Sequence, residues 1–378
     1  MTPREQLLAR ALDAGFDAAR LALVEPLEAQ RHYEAWLAAG RHGEMTWLAS
    51  DKHRARRADP ALLVPGIRSV LSVALRYPSD TGGAHEARAA RLGRIARYAA
   101  GEDYHRVMKD KLLALETWIR TELFPGSGSL WYADTGAILE RGWAERAGIG
   151  WIGKHSGVLS ETLGSHFLLG QVLLDRELAP DAPVARERCG SCARCLDACP
   201  TGAIVAPYQV DARLCISYLT IEHKGVVPRE LRAKIGDWLF GCDLCMDACP
   251  WNRFAPPARE SRLHARELDG WTLERFLSLD EGAFFALFAE SPIRRADREG
   301  FVRNVCIVLG NRGDATAVPA LARTLEHDVS PLVRLHAAWA LGRIGGAAAR
   351  AALARAVTRE HVDAVHDEAR LALAECAA

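Results

Sequence analysis

The sequence has no long apolar run, no excess of charge of either sign and no apolar amino-terminal leader. No stretch of the 378 residues approaches the roughly 18 consecutive apolar residues of a membrane-spanning helix. Lysine plus arginine and aspartate plus glutamate number 48 each, so composition alone gives no support for a polyanionic partner. Residues 1–16 are amphipathic and lack the apolar core of a secretory signal. We therefore expect a cytoplasmic protein with reduced thiols and no membrane contact.

Cysteine, in contrast, is plentiful and clustered: eight of the ten lie in two short runs that each end in Cys-Pro, or between those runs. The first run, Cys189-x2-Cys192-x2-Cys195-x3-Cys199, has the spacing of bacterial [4Fe–4S] ferredoxins, in which the fourth cysteine ligates the other cluster. The second run lacks its front cysteine, and Cys215 lies alone between the runs. Crossing the runs predicts two ligand sets: Cys189, Cys192, Cys195 and Cys249 for one cluster, and Cys199, Cys215, Cys242 and Cys245 for the other.

Disulfides and zinc are the other uses of clustered cysteines. Disulfides need an oxidising compartment, which the amino terminus does not indicate. Zinc ribbons use paired C-x2-C knuckles rather than three cysteines at steps of three followed by Cys-Pro, the pattern that the first run has in full and the second has without its front cysteine. The spacing therefore predicts an electron-transferring protein with two four-iron clusters. Cys306 and Cys376 lie outside the runs in Ala/Leu-rich helical sequence, and we expect them to be core residues.

The segment of residues 1–178 mixes helical and strand-like sequence. Helical patterns cover Pro3–Ala14 and Tyr104–Glu122, and strand-like runs cover Ser69–Tyr77, Ser129–Ala133 and His166–Leu174. Prolines then mark a linker, and residues 185–257 hold the cysteine runs.

Residues 290–378 repeat a pattern. Leu309-Gly310, Leu341-Gly342 and Leu373 recur every 32 residues, with further helical segments between them. This period predicts a short HEAT-like solenoid that presents a surface to a macromolecule. A small helical bundle that only caps the cluster module is the alternative.

The glycines of Gly148-x-Gly150-x-x-Gly153 match a dinucleotide-binding fingerprint, but they follow a helical segment, residues 137–147, rather than a strand. Nor does Lys154 belong to a P-loop, because the spacer and second glycine are absent. We interpret these glycines as permitting close approach of a large flat ligand or of another chain segment.

Several stretches together resemble one family, the epoxyqueuosine reductases of tRNA modification. They are residues 96–105 (ARYAAGEDYH), 134–141 (DTGAILER), 147–154 (AGIGWIGK), 215–224 (CISYLTIEHK) and 291–295 (SPIRR), together with the cysteine runs. The resemblance covers nearly the whole chain in one order. It implies an α+β multidomain protein with an N-terminal α/β cobalamin-binding domain, a two-cluster ferredoxin-like module and C-terminal α-helical HEAT-like repeats.

The implied activity is the last step of queuosine biosynthesis. A cobalamin-dependent enzyme of this family reduces the epoxide of epoxyqueuosine, at the wobble position of tRNA, to the alkene of queuosine. The implied partners are tRNA carrying epoxyqueuosine and an external low-potential electron donor, and we expect a monomer. The D-x-H-x-x-G motif that supplies a lower ligand to cobalt is absent, because Met108 stands where Asp103 and His105 would require a glycine. We therefore expect no protein histidine on the cobalt.

Asp134 matches the acid of that family and directly follows the strand-like run 129–133. Removing an epoxide oxygen as water takes two electrons and two protons, so the reaction needs a proton donor. The ordinary pKa of aspartate is about 3.9, so donation at neutral pH requires burial or nearby negative charge, which raise the pKa. The alternative role is a helix N-cap or Asx turn for a segment that starts at Thr135.

The resemblance implies further cofactor contacts along the chain. With Asp134 they are Arg57, Arg97, Tyr98, Val158, Leu169, Ser217 and Lys224. Arg57 lies in a basic run that also fits a solvated surface, and Tyr98 also fits the core. Ser217 and Lys224 also fit ordinary loop hydrogen bonding.

The densest basic patch before the repeats is the candidate tRNA contact. It consists of Arg294, Arg295, Arg298 and Arg303. Arginines that contact phosphates fix the orientation of a nucleic acid without reading its bases. Exposed salt bridges with Asp297 and Glu299 are the alternative.

Two other functions compete. Reductive dehalogenases also join cobalamin to two such clusters, but they usually carry a twin-arginine signal and use a tyrosine acid, whereas this chain has no such signal and has a helical repeat tail. A plain ferredoxin-type electron carrier does not need the long amino-terminal segment, residues 1–178.

Overall fold

The computed structural model describes residues 1–78, 83–184 and 187–376. The chain forms two compact units, each assembled from separate segments. The first comprises Met1–Ser79, Gly101–Arg213 and Asp243–Ala265, and the second comprises Asp80–Ala100, Leu214–Cys242 and Arg266–Ala378. The boundaries of the three consecutive domains expected from sequence, 1–178, 185–257 and 290–378, stay a prediction. Within them, residues 79–82, 185–186 and 377–378 lie outside the described residues.

The strands are short, apart from one of six residues and two of eight. In chain order they are β1 (Ala18–Leu23), β2 (Ser69–Arg76), β3 (Arg94–Ile95), β4 (Ser129–Tyr132), β5 (Trp151–Ile152), β6 (Val158–Leu159), β7 (Phe167–Leu174), β8 (Ile204–Ala206), β9 (Gln209–Val210) and β10 (Trp238–Phe240).

The helices concentrate toward the carboxyl terminus. In chain order they are α1 (Pro3–Asp13), α2 (Glu28–Ala38), α3 (Thr46–Ala49), α4 (Asp51–Ala58), α5 (Gly83–Leu92), α6 (Tyr104–Trp118), α7 (Glu140–Ala147), α8 (Arg194–Asp197), α9 (Ile216–Ile221), α10 (Arg229–Ile235), α11 (Leu244–Asp247), α12 (Leu273–Phe276), α13 (Glu281–Leu287), α14 (Asp297–Arg312), α15 (Val318–His327), α16 (Pro331–Ile344), α17 (Gly346–Arg359) and α18 (Asp363–Glu375). Among the described residues, none of these helices has both the length and the apolar character to cross a membrane.

The first unit is built on a four-stranded antiparallel sheet with the order β1-β2-β7-β4. All eight residues of β2 are buried, and a 2.6 Å hydrogen bond from Ser72 Oγ to Gln171 Oε1 joins β2 to β7 in the core. Helices α6 and α7 pack against this sheet. The three predicted strands are confirmed to within one residue at each end, because each is an apolar run bounded by turn-forming or charged residues.

The predicted helices of this unit are confirmed, with differences at their ends. A capping box fixes the start of α1: Thr2 Oγ1 accepts from Glu5 N, and Glu5 Oε2 accepts from Thr2 N at 2.8 Å. Helix α6 is regular only as far as Trp118, after which Ile119–Leu123 form a π-helical turn. The sequence pattern did not reveal that change, because the apolar spacing continues through it.

The glycines after α7 let two chain segments approach each other. Gly148 ends α7 in the left-handed region, with φ of +84°. A Cβ on Gly150 would lie only 1.8 Å from the carbonyl oxygen of Leu159 in β6. The segment follows a helix and leads into β5, which does not fit a dinucleotide fingerprint. Of the two interpretations of these glycines, close approach of another chain segment is confirmed.

The carboxyl-terminal part of the second unit is a stack of helix pairs. Helix α14 packs on α16 and α16 on α18, while α15 and α17 form the second helices. A Cβ on Gly310 would lie 2.8 Å from Trp339 Cζ3, and one on Gly342 would lie 2.7 Å from Ala372 Cβ. The glycines of the 32-residue repeat are therefore points of close approach between successive helices, and the HEAT-like solenoid is confirmed.

This packing makes Gly342 sensitive to added volume. We expect Gly342→Ala to lower the free energy of unfolding by about 1–3 kcal/mol, because helices α16 and α18 must separate to admit the methyl group. Gly300→Ala on α14 is the matched control, since its Cβ would have no neighbour closer than 3.9 Å. That change should raise the free energy of unfolding by up to about 1 kcal/mol. Urea unfolding followed by circular dichroism checks both, and a Gly342→Ala midpoint at or above the parent value would contradict the packing argument.

Candidate active site and cluster ligands

Asp134 stands two residues beyond the end of β4, in a loop that brings polar side chains to its carboxylate. Its φ is +61°, a left-handed conformation that aspartate and asparagine tolerate better than most residues. Its Oδ2 accepts a hydrogen bond from Tyr104 Oη at 2.8 Å and lies 3.2 Å from His105 Nε2. The N-cap alternative is wrong, because the next helix, α7, starts at Glu140 with Leu139 as its N-cap.

His105 is held between two carboxylates at the start of α6. Asp103, the N-cap of that helix, accepts from the backbone N–H of His105 at 3.0 Å and from its Nδ1 at 2.8 Å, while Nε2 faces Asp134. Burial by itself lowers the pKa of His105, but the hydrogen bonds to Asp103 and Asp134 outweigh it and raise the pKa from 6.5 to about 9. His105 is therefore an imidazolium at neutral pH, and both of its ring nitrogens are engaged.

Glu140 adds a second proton-carrying group beside Asp134. The backbone N–H of Asp134 donates to Glu140 Oε1 at 2.7 Å. Burial, with the negative charge of Asp134 as a second cause, raises the pKa of Glu140 to about 8. The Asp134 side chain itself is 61% exposed, so the protein alone does not supply the burial expected from the sequence.

Arg57 reaches the same loop from the end of α4. Its Nη2 lies 3.5 Å from the carbonyl oxygen of Gly136, and its guanidinium stands 5.2 Å from the centre of the Tyr33 ring. Its Nη1 is buried and has no hydrogen-bond partner in the structure. Buried donors are nearly always paired in native proteins, so this atom fits a contact to a bound polar group. Arg57 and Asp134 therefore lie in one region of the first unit, and their roles toward a cofactor stay predictions.

The other predicted cofactor contacts occupy separate places. Val158 is buried in an apolar cluster with Ile149 and Phe167, and Leu169 packs against that cluster. In the second unit, Arg97 is buried in a short 3-10 turn, and the ring of Tyr98 stands 6.4 Å from that of Phe240.

Ser217 and Lys224 also belong to the second unit. Ser217 lies in the first turn of α9, two residues after its N-cap Cys215. Lys224 forms a 2.9 Å ion pair with Asp297. Their roles toward a cofactor stay predictions.

The first predicted ligand set comes together in the first unit. Burial raises the pKa of the Cys249 thiol, and the nearby Cys189, Cys195 and Cys192 raise it further. Burial likewise raises the pKa of Cys195, with smaller contributions from Cys189 and Cys192. The four thiols are thus close enough to interact electrostatically, although Cys249 lies in the other run. Such a group fits a multi-iron cluster, whose positive irons would stabilise the thiolates.

The spacing of these thiols differs from that of a single-ion site. In the described ranges, no three His, Cys, Asp or Glu side chains lie close enough together to hold one metal ion. A four-iron cluster binds each thiolate through a different iron, so its ligands stand further apart than the ligands of one ion.

The second predicted ligand set is spread over both units. Cys199 and Cys245 belong to the first, and Cys215 and Cys242 to the second. Burial alone would raise the pKa of Cys199, but hydrogen bonds from Thr201 Oγ1 at 3.4 Å and Ala203 N at 3.3 Å lower it. Hydrogen bonds to sulfur of this kind are typical of iron–sulfur ligands. The assignment of this set continues to rest on the cysteine spacing.

The predicted tRNA patch needs correction. Arg303 is fully buried and donates to the carbonyl oxygens of Leu219, His223 and Gly225, and Arg298 is buried against Asp328. These two guanidinium groups hold the helices together, so they cannot reach a phosphate at the surface.

Arg294 and Arg295 remain as surface members of the patch. Arg294 stands 5.2 Å from the centre of the Phe285 ring, and Arg295 pairs with Glu222 at 2.9 Å. Salt bridges do form here: Arg298 pairs with Asp328 inside the protein, and Arg295 pairs with Glu222.

Other side chains at these sites were missed from the sequence. Tyr104 and His105 lie in the stretch 96–105 that carried the family resemblance, which was the available signal. Glu140 lies in the stretch 134–141 of the same resemblance, but the loop that brings it to Asp134 has no regular pattern that would have singled it out. Cys306 is confirmed as a core residue, while Cys376 is half-buried at the end of α18.

The raised pKa of His105 predicts a pH-dependent stability. Between pH 6.5 and about 9 the folded state binds more protons at His105 than the unfolded state does. The contribution of His105 to the free energy of unfolding is therefore fully present below pH 6.5 and is lost as the pH rises through about 9. We expect the urea midpoint of the parent protein to fall over this interval by more than that of His105→Gln. Anaerobic urea unfolding at several pH values measures this, and parallel curves for the two proteins would contradict it.

Comparisons with known proteins identify the family. A model described as Epoxyqueuosine reductase QueG, DUF1730 matches residues 57–135, a 4Fe-4S double cluster binding domain matches residues 188–252, and HEAT repeats match residues 293–374. An epoxyqueuosine reductase of Xanthomonas campestris pv. campestris is 42% identical over 345 residues, which cover 90% of this chain and 96% of that protein. This chain belongs to the epoxyqueuosine reductase family. It is therefore an oxidoreductase with a double [4Fe–4S] cluster domain and HEAT repeats.

Further epoxyqueuosine reductases support the assignment. The Escherichia coli protein is 41% identical over 344 residues, covering 88% of this chain and 87% of that one. A crystal structure of epoxyqueuosine reductase with a tRNA-Tyr epoxyqueuosine-modified stem loop is 30% identical, with a TM-score of 0.91 and 99% of each chain covered. A structure from Bacillus subtilis, in which an aspartate catalytic loop has swung out of the active site, gives 30% identity, a TM-score of 0.89 and 98% coverage of each chain. These similarities favour the epoxyqueuosine reductase function over the dehalogenase and electron-carrier alternatives.

Proposed function

We propose that this protein reduces epoxyqueuosine in tRNA to queuosine, with electrons relayed by two [4Fe–4S] clusters to cobalamin and a proton donated by Asp134. Family membership supports the substrate, since a relative of the same fold has been crystallised with an epoxyqueuosine-modified tRNA stem loop. The observation that carries the mechanism is the hydrogen-bonded group of Asp134, Tyr104 and His105. An external low-potential electron donor, a monomeric state and a cytoplasmic location remain predictions.

The chain's own residues fit a cobalamin beside this group. Arg57 brings a buried N–H without a hydrogen-bond partner among the described residues to the Asp134 loop, and Val158 and Leu169 belong to an apolar cluster of the same unit. Cobalamin, when bound, supplies a strongly reducing cobalt that acts on the epoxide carbon. Both ring nitrogens of His105 are engaged by carboxylates, so this histidine has no free nitrogen to offer a metal.

The protonation steps follow from the hydrogen bonds. Epoxide opening develops negative charge on the epoxide oxygen, which the protonated carboxyl group of Asp134 neutralises by donating its proton. Tyr104 and His105 hold the Asp134 carboxyl group in place through Oδ2, and His105, protonated at neutral pH, can return a proton to it through Nε2. Loss of the oxygen as water consumes a second proton. A cofactor and substrate that cover the 61%-exposed carboxylate would desolvate it, and desolvation favours the protonated form from which a proton can be donated.

The function is tested directly with epoxyqueuosine-containing tRNA. The anaerobically purified protein is incubated with this tRNA, cobalamin and a strong reductant, and the nucleosides are analysed by mass spectrometry. We expect queuosine to form only when cobalamin and reductant are both present. Unchanged tRNA with a protein that retains iron would refute the proposal, and turnover without cobalamin would refute the role of that cofactor.

The surface arginines should contribute to tRNA binding through phosphates. We expect the double replacement of Arg294 and Arg295 by alanine to weaken binding and to reduce the slope of log K against log salt concentration by about one for each phosphate that these arginines neutralise. Arg323→Ala, an exposed arginine on α15, is the matched control and should leave the slope unchanged. Fluorescence anisotropy with a labelled stem loop measures both, and equal slopes for the double variant and the parent would exclude a role for these arginines at the phosphates.

A further inference from the structure

The indole of Trp151 is a buried hydrogen-bond donor without an acceptor. Trp151 opens the hairpin of β5 and β6 and is 2% exposed. Its Nε1 has no hydrogen-bond partner in the structure. An indole nitrogen can only donate, and buried donors are almost always paired, so an unpaired one calls for an explanation such as a bound group.

The surroundings of Trp151 point to the group that it would meet. Trp151 and Leu159 form a buried cluster with Cys249, against which Cys189 and Trp251 also pack. Cys189 and Cys249 come from different cysteine runs and belong to the same proposed ligand set. The indole therefore shares one pocket with two thiols of the first cluster, and the sulfur atoms of a cluster there would be acceptors.

The same hairpin is tied to the ligand loop by a second contact. Lys154, at its tip, donates from Nζ to the carbonyl oxygens of Gly190 at 2.5 Å and Cys192 at 3.0 Å. These carbonyls belong to the turn that carries two of the four proposed ligands. The contact fixes the hairpin, and with it the indole of Trp151, relative to the loop that would hold the cluster.

We propose that Trp151 donates an N–H···S hydrogen bond to the first [4Fe–4S] cluster and thereby raises the reduction potential of that cluster. Reduction adds negative charge to the cluster, and a donor to sulfur stabilises that charge, since hydrogen bonds to charged acceptors are the stronger ones. Trp151 is thus a positioning and tuning residue for electron transfer. The inference rests on the proposed ligand set of Cys189, Cys192, Cys195 and Cys249, and on no property of tRNA or cobalamin.

The test compares two tryptophans of the same pocket. Trp151→Phe keeps an aromatic ring but removes the N–H, and Trp251→Phe, whose ring centre lies 5.2 Å from that of Trp151, is the control because its nitrogen is not an unpaired buried donor. Both clusters are titrated anaerobically with reductant and followed by electron paramagnetic resonance, without tRNA or cobalamin. We expect Trp151→Phe to lower the equilibrium constant for reduction of one cluster about tenfold, a fall of about 59 mV, with the other cluster unchanged. Trp251→Phe should leave both potentials at the parent values.

Loss of iron from Trp151→Phe would leave the potential unmeasurable, so a second variant accompanies it. Replacing Trp151 by its benzothiophene analogue, through an expanded genetic code, keeps the ring shape and exchanges only N–H for S. The same fall in potential is expected for this protein. An unchanged potential in either iron-replete protein, or an equal fall in Trp251→Phe, would overturn the proposal. Because neither readout needs turnover, this result is independent of whether epoxyqueuosine reduction is observed.

Discussion

We expect Asp134→Asn to lower the turnover of epoxyqueuosine-containing tRNA by about 10²–10⁴-fold, the usual contribution of a positioned general acid. The substitution removes the transferable proton but keeps an oxygen that can accept from Tyr104 and His105. Asparagine also tolerates the left-handed backbone of this position, where φ is +61°. Because the side chain is 61% exposed, the substitution disturbs little packing. The variant should therefore keep both clusters and its affinity for cobalamin.

Single-turnover reactions with saturating tRNA measure this effect apart from binding. Asp13→Asn, an exposed aspartate at the end of α1, serves as the control and should react at the parent rate. Asp134→Ala should lose turnover to a similar extent while retaining clusters and cofactor. Near-parental turnover of either Asp134 variant would show that the proton comes from another group. His105 and Glu140 are the candidates, because both contact Asp134 and both can carry a proton.

Replacing Cys215 should remove one whole cluster. Eight thiolates match two four-iron clusters with none left over, so the loss of Cys215 leaves three ligands in its set. We expect the iron content of Cys215→Ala to be about four atoms per chain instead of about eight. The variant should also lose nearly all tRNA reduction, because electrons no longer reach the cofactor. Cys306→Ala is the control, since burial raises the pKa of that thiol and it lies outside both sets.

Iron analysis and electron paramagnetic resonance give the result directly. Cys189→Ala should also lose about half of the iron, but the surviving signal should be that of the other cluster. Full iron content in Cys215→Ala would show that the missing front cysteine of the second run is replaced by some other ligand. Equal surviving signals in the two variants would refute the crossed assignment.

The sequence predicts those features of the structure that depend on residues close together in the chain. The strands β2, β4 and β7 and the repeat glycines Gly310 and Gly342 follow from periodicity, which is a property of neighbouring residues. The proposed cluster ligands rest on cysteine spacing, which is likewise a local property of the sequence. Arg298 and Arg303 were mistaken for surface residues because their buried partners, apart from Asn304, lie between 19 and 84 residues away in the chain, where no local sequence pattern indicates them.

The active-site loop shows the same limit. Asp134 could be proposed from its position after a strand-like run, together with the family resemblance. Its engagement by His105, which lies 29 residues earlier, depends on where α6 packs against the sheet. The pKa of His105 depends on two carboxylates that meet only in the folded chain. The protonation of His105 is therefore a property of the folded chain, whereas the proposal of Asp134 as the acid can be made from the sequence.

The interleaved segments of the two units set an order for biosynthesis. The first unit includes Met1–Ser79 but is completed only by Asp243–Ala265, which supplies the ion pairs Arg259–Asp17, Lys111–Glu260 and Arg262–Glu102. At about 5–20 residues per second, the ribosome needs on the order of ten seconds or more to bridge that interval. Cys189 likewise emerges well before Cys249. During translation the proposed site of the first cluster would thus stay incomplete until Cys249 has been synthesised. Insertion of that cluster therefore has to wait until about two-thirds of the chain has been translated.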